Sequence, residues 1–148
     1  MESKLIECPA APLAEVRVEE ALARPLPAIW GMVGDFAGIA RWHPLVVACE
    51  MSGTEEALTR TVHFADGSQV RERLMARDEG SHRLDYQVLD DGSPSRATAT
   101  VTIQLVSLAP GHTMFSWSAI TSPDVATRLP AFYRQRLVHL RKCLGLPQ

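Results

Sequence analysis

The sequence predicts an α+β fold in which a curved antiparallel sheet packs around one long C-terminal helix. Two observations lead to this fold class. Seven segments alternate apolar and polar residues or are rich in β-branched residues, and short turns of Gly, Asp, Ser and Pro separate the last six of them. After the seventh strand comes one stretch with an apolar side at helical spacing, and a curved sheet can cover that side.

Two short helical segments are predicted between the first strand and the second. The first strand covers 14–22, where valines alternate with charged residues. In the stretch RPLPAIWGMVGDF, Pro27 suits a first helical position, and Trp30 and Phe36 belong to an apolar stripe at helical spacing. A second helical turn is expected in IARWHP, where Pro44 stops it.

The region from Leu45 to Thr121 is predicted to form an antiparallel meander. The expected strands cover residues 45–52, 57–65, 68–78, 82–90, 97–108 and 112–121. The turns between them read SGTEE, ADGS, DEGS, DDGSPS and APGH, which supply the residues that tight turns require. Because turns this short join neighbouring strands, consecutive strands are expected to pair antiparallel.

The last helix is predicted to begin after Ser122, a residue type that caps helices, and Asp124 favours the positive end of the helix. Pro130 is expected to kink this helix or to restart it, because proline lacks the N–H that an inner turn needs. Apolar and basic residues then separate onto two sides, and Gly145 ends the element.

Length and composition indicate one domain without the charge signature of a nucleic-acid partner. The 148 residues fit a single domain over 14–148, preceded by an extended arm over 1–13 that contains two prolines. The net charge of −2 gives no basic surface for nucleic acid, and no apolar run reaches the roughly 18 residues of a membrane span. Because no apolar signal segment is evident at the N-terminus, we expect a cytoplasmic protein.

The cysteines and histidines indicate neither a disulfide framework nor a metal site. Cys8, Cys49 and Cys143 are odd in number and far apart, so each is interpreted as a small apolar residue in a reducing compartment. The His, Asp and Glu residues do not fall at the spacing of metal ligands. We therefore expect no metal ion and no disulfide.

Strand alternation and turn chemistry together predict one charged pair on the apolar face of the sheet. The turn 65–67 fits a three-residue loop with Gly67 in the left-handed region, and that register places Arg60 opposite Glu72. A two-residue turn would shift the register by one and break the pair. Because a buried charge needs a partner, the pair is either a structural bridge or a polar patch on a cavity wall. In the second case Glu72 could act as a base and Arg60 could hold a carbonyl or enolate oxygen.

Three other residues are candidates with a structural alternative beside each. Tyr86 is expected to point inward, either as core packing or as a hydroxyl donor in a site. His43 titrates near neutral pH and could act as acid or base, although a backbone-bonded His beside Pro44 is the simpler interpretation. Trp42 precedes His43 in the chain and is most simply interpreted as a packing anchor.

The element order and four stretches of this sequence resemble the SRPBCC superfamily. The stretches are GDFAGIARWHP, TRTVHFADGSQVRERL, LDYQV and FSWSA, and the resemblance covers about Ala14 to Leu144. This superfamily includes START-like domains, Bet v 1-like domains and polyketide cyclase/dehydrase-like proteins. The resemblance implies the helix-grip fold, in which a seven-stranded antiparallel sheet grips the last helix around a hydrophobic cavity. It implies no catalytic residues, because the superfamily has no common catalytic motif.

The resemblance and the residues together predict a protein that binds a small aromatic or polyketide-like molecule in an internal cavity. If the protein is an enzyme, we expect cyclisation, dehydration or isomerisation without a cofactor. The catalytic candidates are Glu72, Arg60, Tyr86 and His43. Two alternatives stay open: a non-catalytic carrier or sensor of a lipid-like ligand, and a domain with a filled core that acts through a surface partner. A homodimer through a sheet edge or a helix surface also stays open.

The ligand-binding candidates come from the strands, from the last helix and from the Trp–His–Pro segment after the short helices, which the resemblance to the helix-grip fold places beside the pocket entrance. They are Trp42, Val62, Phe64, Leu74, Ala99, Trp117, Phe132 and Arg136. Ala99 is small and leaves room in the cavity, and Arg136 is also consistent with a surface arginine whose stem covers apolar groups.

Overall fold

The computed structural model of the protein describes residues 12–89 and 97–147, and it confirms the predicted α+β helix-grip fold. In chain order the elements are β1 (Ala14–Leu22), α1 (Leu26–Val33), a 3₁₀ helix (Phe36–Arg41), β2 (Val46–Ser52), β3 (Thr59–Phe64), β4 (Gln69–Asp78), β5 (Arg83–Leu89), β6 (Ala97–Ala109), β7 (His112–Thr121) and α2 (Pro123–Cys143). The predicted turn DDGSPS lies outside the described residues. The predicted arm over 1–13 also lies outside them, except for its last two residues, which are exposed.

The seven strands form one antiparallel sheet in the order β1-β7-β6-β5-β4-β3-β2. Strands β2 to β7 follow one another as hairpins, and β1 joins the sheet beside β7. Helix α2 lies against β1 and β7, and the largest buried side chains meet between helix and sheet. They include Phe115 and Trp117 on β7 and Leu137 and Leu140 on α2. Among the described residues, no helix combines the length and the hydrophobicity needed to cross a membrane.

The β3–β4 hairpin has the register that its turn predicts. Gly67 adopts a φ of +92°, which a glycine tolerates at no steric cost, and the Phe64 N–H donates to the Ser68 carbonyl at 2.9 Å. Arg60 therefore stands opposite Glu72 on neighbouring strands. Both side chains point to the face that α2 covers, and a slip of one residue would have moved them to the other face.

The two short helices differ in detail from the prediction. Helix α1 begins at Leu26, so Pro27 occupies its second position and not the first. The 3₁₀ helix starts at Phe36, earlier than expected, because the Asp35 carboxylate accepts a hydrogen bond from the Ala37 N–H at 3.2 Å and caps it there. The helix ends at Arg41, directly before the Trp–His–Pro triplet.

Helix α2 runs as one helix from Pro123 to Cys143, so the predicted restart at Pro130 is wrong. The helical turns on both sides of this proline are stabilised by buried side chains such as Tyr133, so the helix continues through it. At the C-terminus, Gly145 has a φ of +72°, and the Leu146 N–H donates to the Arg141 carbonyl at 2.8 Å. This Schellman motif stops the helix where the sequence predicts its end.

Candidate functional site

A cavity of about 190 Å³ lies between the sheet and α2. Its wall consists of side chains from β3 to β7, from α2 and from the segment that contains the 3₁₀ helix. Pockets for drug-sized ligands usually have about 300–1,000 Å³, whereas an apolar cavity of about 150 Å³ can hold benzene. The space therefore suits a molecule about as large as one or two small rings.

The structure brings most of the predicted site residues together in this wall. Those that line the cavity are Glu72, Tyr86, His43, Val62, Phe64, Ala99, Trp117 and Arg136. Four predicted residues, Arg60, Trp42, Leu74 and Phe132, lie elsewhere. The cavity wall therefore contains fewer of the predicted residues than expected, and its polar groups are concentrated on β4, β5, α2 and the Trp–His–Pro triplet (residues 42–44).

Arg60 and Glu72 form the charged pair that the hairpin register predicts. The Arg60 side chain is 2% exposed and that of Glu72 is 12% exposed. Nε of Arg60 lies 2.7 Å from Oε1 of Glu72, and Nη2 lies 2.6 Å from the same oxygen. Within the described residues, no hydrogen bond reaches the second carboxylate oxygen, Oε2. Glu72 is therefore held through one oxygen while its side chain forms part of the cavity wall.

Arg60 itself lies behind Glu72 and not in the cavity wall. Its Nη1 donates to the Phe36 carbonyl at 2.7 Å, and its guanidinium lies 4.0 Å from the Phe36 ring centre and 4.9 Å from that of Tyr86. With its donors directed to these groups, Arg60 is placed to orient Glu72 and not to hold a ligand oxygen.

The other three predicted residues that lie outside the cavity wall pack against other parts of the structure. Trp42 is buried and packs its ring 5.5 Å from that of Trp117, which agrees with the interpretation as a packing anchor. Leu74 pairs with Tyr86 across the strands and packs at the margin of the core. Phe132 is 43% exposed and lines a depression on the outer side of α2, because it stands one position, or about 100°, away from the buried Tyr133.

His43 is buried in the cavity wall as a neutral imidazole. The Leu45 N–H donates to its Nδ1 at 3.2 Å, which assigns the ring proton of the neutral form to Nε2. The pKa of His43 is lowered from 6.5 to about 3, mainly by burial and then by the positive charges of Arg136 and Arg60. At neutral pH this residue is a hydrogen-bond donor through Nε2 and a poor proton acceptor.

The depressed pKa of His43 predicts a loss of stability in mild acid. The unfolded chain binds a proton at His43 near pH 6.5, whereas the folded protein binds it only near pH 3, so the unfolded state holds more protons between these values. The free energy of unfolding should therefore decrease as the pH decreases through this window. His43 alone should account for a loss of up to about 2 kcal/mol at pH 5.

Urea denaturation of the wild type and of His43→Asn at pH 7 and pH 5 measures this contribution. The asparagine oxygen can accept the Leu45 N–H but does not titrate. We expect the loss of stability between the two pH values to be smaller in His43→Asn than in the wild type. Equal losses in both proteins would contradict a neutral, buried His43. His63, which is 31% exposed and contacts Glu50 at 2.7 Å, provides the control His63→Asn.

The phenols of Tyr86 and Tyr133 stay protonated in this wall. Burial, followed by the negative charge of Glu72, raises the pKa of Tyr86 above its ordinary value. Burial likewise raises the pKa of Tyr133, whose ring stacks on Trp117 at 4.3 Å. Both hydroxyls can therefore donate a hydrogen bond to a ligand at neutral pH.

Trp117 adds a buried donor without a partner. Its side chain is 1% exposed, and within the described residues its indole N–H finds no acceptor at hydrogen-bond geometry. The N–H interacts with the nearby Tyr86 hydroxyl and lowers the pKa of that group, but the geometry falls outside the limits of a hydrogen bond. An unpaired buried N–H is costly, so a ligand acceptor at this point would be favourable.

Several wall residues were not among the sequence-based candidates. They are Ile39, Val70, Val88, Thr98, Val101, Val125, Leu129 and Tyr133. A signal for the helical members was present, because Val125, Leu129, Tyr133 and Arg136 follow one another at spacings of four, four and three. The expected break at Pro130 concealed this continuous stripe.

The outer face of the sheet carries a second depression of about 170 Å³. Its lining combines the hydroxyl groups of Thr100, Thr102, Ser116 and Ser118 with the charged side chains of Glu15, Arg17 and Arg83. This groove contains neither a buried carboxylate nor an unpaired buried donor among the described residues. The described residues also contain no cluster of three His, Cys, Asp or Glu that could hold a metal ion. The cavity beneath α2 is therefore the candidate site.

Comparisons with known proteins bear on the family and the fold of the chain. A family model described as polyketide cyclase / dehydrase and lipid transport matches residues 14–145. A solution NMR structure from Thermobifida fusca is 30% identical over 79% of this chain and 80% of that chain, with a TM-score of 0.65. No match was found among curated proteins.

Two solved structures at lower identity share the fold. An uncharacterized protein from Bacillus thuringiensis is 20% identical over 87% of this chain and 97% of that chain, with a TM-score of 0.73. The Zhui aromatase/cyclase from Streptomyces sp. R1128 is 16% identical over 90% of this chain and 93% of that chain, with a TM-score of 0.67.

Proposed function

The chain belongs to the polyketide cyclase/dehydrase and lipid transport family, and from this premise we propose that it binds one small hydrophobic molecule beneath α2 and transfers a proton of that molecule through Glu72. One observation carries the proposal. Glu72 presents a carboxylate in the wall of an otherwise mainly apolar cavity, and Arg60 holds that carboxylate from behind. A base in such a site is oriented before the ligand arrives and is shielded from bulk water.

In the proposed reaction, Glu72 removes a proton from the carbon next to a ligand carbonyl. The C–H electron pair forms the carbon–carbon double bond of an enolate, and the negative charge moves to the carbonyl oxygen. In a dehydration the carbonyl then re-forms, the new double bond shifts to the neighbouring carbon, and the C–O bond there breaks. Glu72 returns its proton to the departing hydroxide, so that water leaves. The reaction needs no cofactor.

Tyr86 is the donor we assign to the carbonyl oxygen in this reaction. Its hydroxyl stays protonated at neutral pH and lies in the same wall as Glu72. A hydrogen bond to an oxygen that gains negative charge is stronger than one to the neutral carbonyl, so this donor lowers the barrier. His43 can add a second donor through Nε2–H, and we assign the base role to Glu72 because the pKa of His43 is about 3.

A non-catalytic carrier is the second candidate, and one observation favours it. The Oε1 atom of Glu72 accepts two contacts from Arg60, which is the arrangement of a structural ion pair. Such a pair engages one oxygen of the carboxylate and holds the side chain in place. In this candidate Glu72 only fixes the β3–β4 wall, and the cavity delivers its ligand unchanged.

Base catalysis by Glu72 can be tested with 5-nitrobenzisoxazole, a small aromatic probe. A general base takes the proton from its ring carbon, the freed electron pair forms a nitrile, and the N–O bond breaks to release a coloured phenolate. We expect Glu72→Gln to reduce this turnover by about a hundredfold or more, in line with the usual contribution of a positioned base. Indole, a non-reactive molecule of similar size, should still bind.

Two further variants separate chemistry from folding. Glu50→Gln changes an exposed glutamate of β2 and should leave turnover unchanged. Ala99→Leu keeps the Arg60–Glu72 pair but fills part of the cavity, so it should weaken indole binding and turnover together. Undiminished turnover in folded Glu72→Gln would exclude the base role and favour the carrier. Indole that binds equally well to wild type and Ala99→Leu would exclude the cavity as the site.

A further inference from the structure

Arg136 is a cation at the mouth of the cavity. It lines the cavity itself, the depression outside α2 beside Phe132, and the depression beside the 65–67 turn. Its guanidinium lies 5.5 Å from the ring centre of Phe132 and 6.0 Å from that of Trp117. Arg136 is therefore the side chain that stands between the interior of the cavity and the outside.

No acidic partner neutralises Arg136 within the part of the chain that the structure describes. Its half-buried guanidinium forms neither an ion pair nor a hydrogen bond there, whereas Arg60 binds Glu72 and Arg141 binds Glu20. Asp66 lines one of the outer depressions, but its carboxylate accepts hydrogen bonds from the backbone N–H and the hydroxyl of Ser68. Partly buried cations are usually paired, so the missing partner needs an explanation.

The rest of the cavity wall also offers hydrogen-bond donors to a ligand. The only carboxylate among its described residues, Glu72, is already neutralised by Arg60. The indole N–H of Trp117, which is buried and unpaired, and the Tyr86 hydroxyl can both donate. A ligand with one negative charge at the mouth and acceptor atoms inside would satisfy these groups together.

We propose that the ligand is a small hydrophobic carboxylate, which places its carboxylate on Arg136 and its ring in the cavity over Trp117. This proposal rests on the proposed binding function and names the ligand class. A guanidinium matches a carboxylate through two parallel hydrogen bonds, and the cavity of about 190 Å³ limits the apolar part to about one or two rings. Lys142 follows at the sixth position along α2, lines the same outer depression and can attract an anion.

Paired probes of equal shape can test the charge requirement. Benzoate and benzamide differ mainly in charge, and the titration can follow the Trp117 indole N–H by NMR while Trp30, whose N–H donates to Glu79 at 2.9 Å, provides an internal reference. At low salt we expect benzoate to bind the wild type roughly ten- to a hundredfold more tightly than benzamide, the range of a charge-assisted hydrogen bond. In Arg136→Gln the ratio should fall to about one.

A matched variant and a second probe make each outcome decisive. Arg134→Gln removes an exposed arginine from the same helix and should keep the wild-type ratio. A ratio near one in the wild type, or a high ratio that persists in Arg136→Gln, would overturn the carboxylate proposal. If indole binds and neither benzoate nor benzamide does, the carboxylate proposal fails and the binding function stands. If indole also fails to bind, both are wrong.

Discussion

Replacement of Arg60 by methionine is expected to lower the free energy of unfolding by about 3–5 kcal/mol. The substitution leaves the Glu72 carboxylate, which is 12% exposed, without its guanidinium partner in a mainly apolar wall. It also removes the donor to the Phe36 carbonyl and the cation stacked between the rings of Phe36 and Tyr86. Urea denaturation at pH 7 measures the loss.

The double variant Arg60→Met/Glu72→Met should recover most of that loss. It replaces both charges by apolar side chains, and such replacements of buried pairs are often neutral or stabilising. Arg17→Met breaks pairs with Glu15 and Glu19 in which the side chains are 47–60% exposed, and it should cost at most about 1 kcal/mol. A single Arg60→Met variant as stable as Arg17→Met would show that the buried pair contributes little.

Truncation of Trp117 to alanine is expected to cost about 3–5 kcal/mol, the usual range for a large buried aromatic residue. Trp117 stacks on Tyr133 with ring planes 9° apart and also packs against Trp42 and Phe115. Its removal opens space at the inner end of the cavity. The variant should therefore bind larger aromatic molecules than the wild type does, provided that it remains folded.

Ile120→Ala on the same strand is the matched control for Trp117→Ala. Ile120 is 48% exposed on the outer face, so its truncation should change stability by about 0.5 kcal/mol or less. Thermal and urea unfolding measure the stability of both variants. The binding of naphthalene, the larger probe, measures the size of the cavity. A Trp117→Ala variant that loses less than about 1 kcal/mol would show that the surrounding rings collapse into the space.

The strand pattern was predictable because alternation and turn chemistry are local properties. The Arg60–Glu72 pair follows from one turn, since Gly67 fixes the loop length and the loop length fixes the register. The β-bulge between Leu74 and Ala76 was not predictable, because it depends on how β4 meets β5. Alternation beyond that point no longer reports which residues face the core.

The depth of each site residue was harder to predict than its face. Alternation places Arg60 on the inner face but cannot show that it lies behind Glu72. On α2, the stripe leaves both Phe132 and Tyr133 near the seam, and only the rotation of the helix against the sheet buries the second. The neutral state of His43 likewise depends on burial and on Arg136, which is distant in sequence.

The cavity beneath α2 also has a consequence for the volume change of unfolding. Internal space of the folded protein is eliminated when the chain unfolds in water, so unfolding reduces the total volume, and hydrostatic pressure shifts the equilibrium toward the unfolded state. A molecule that occupies the cavity removes part of this volume difference. The pressure at which the protein unfolds should therefore rise with occupancy, and it reports ligand binding without any chromophore or enzymatic turnover.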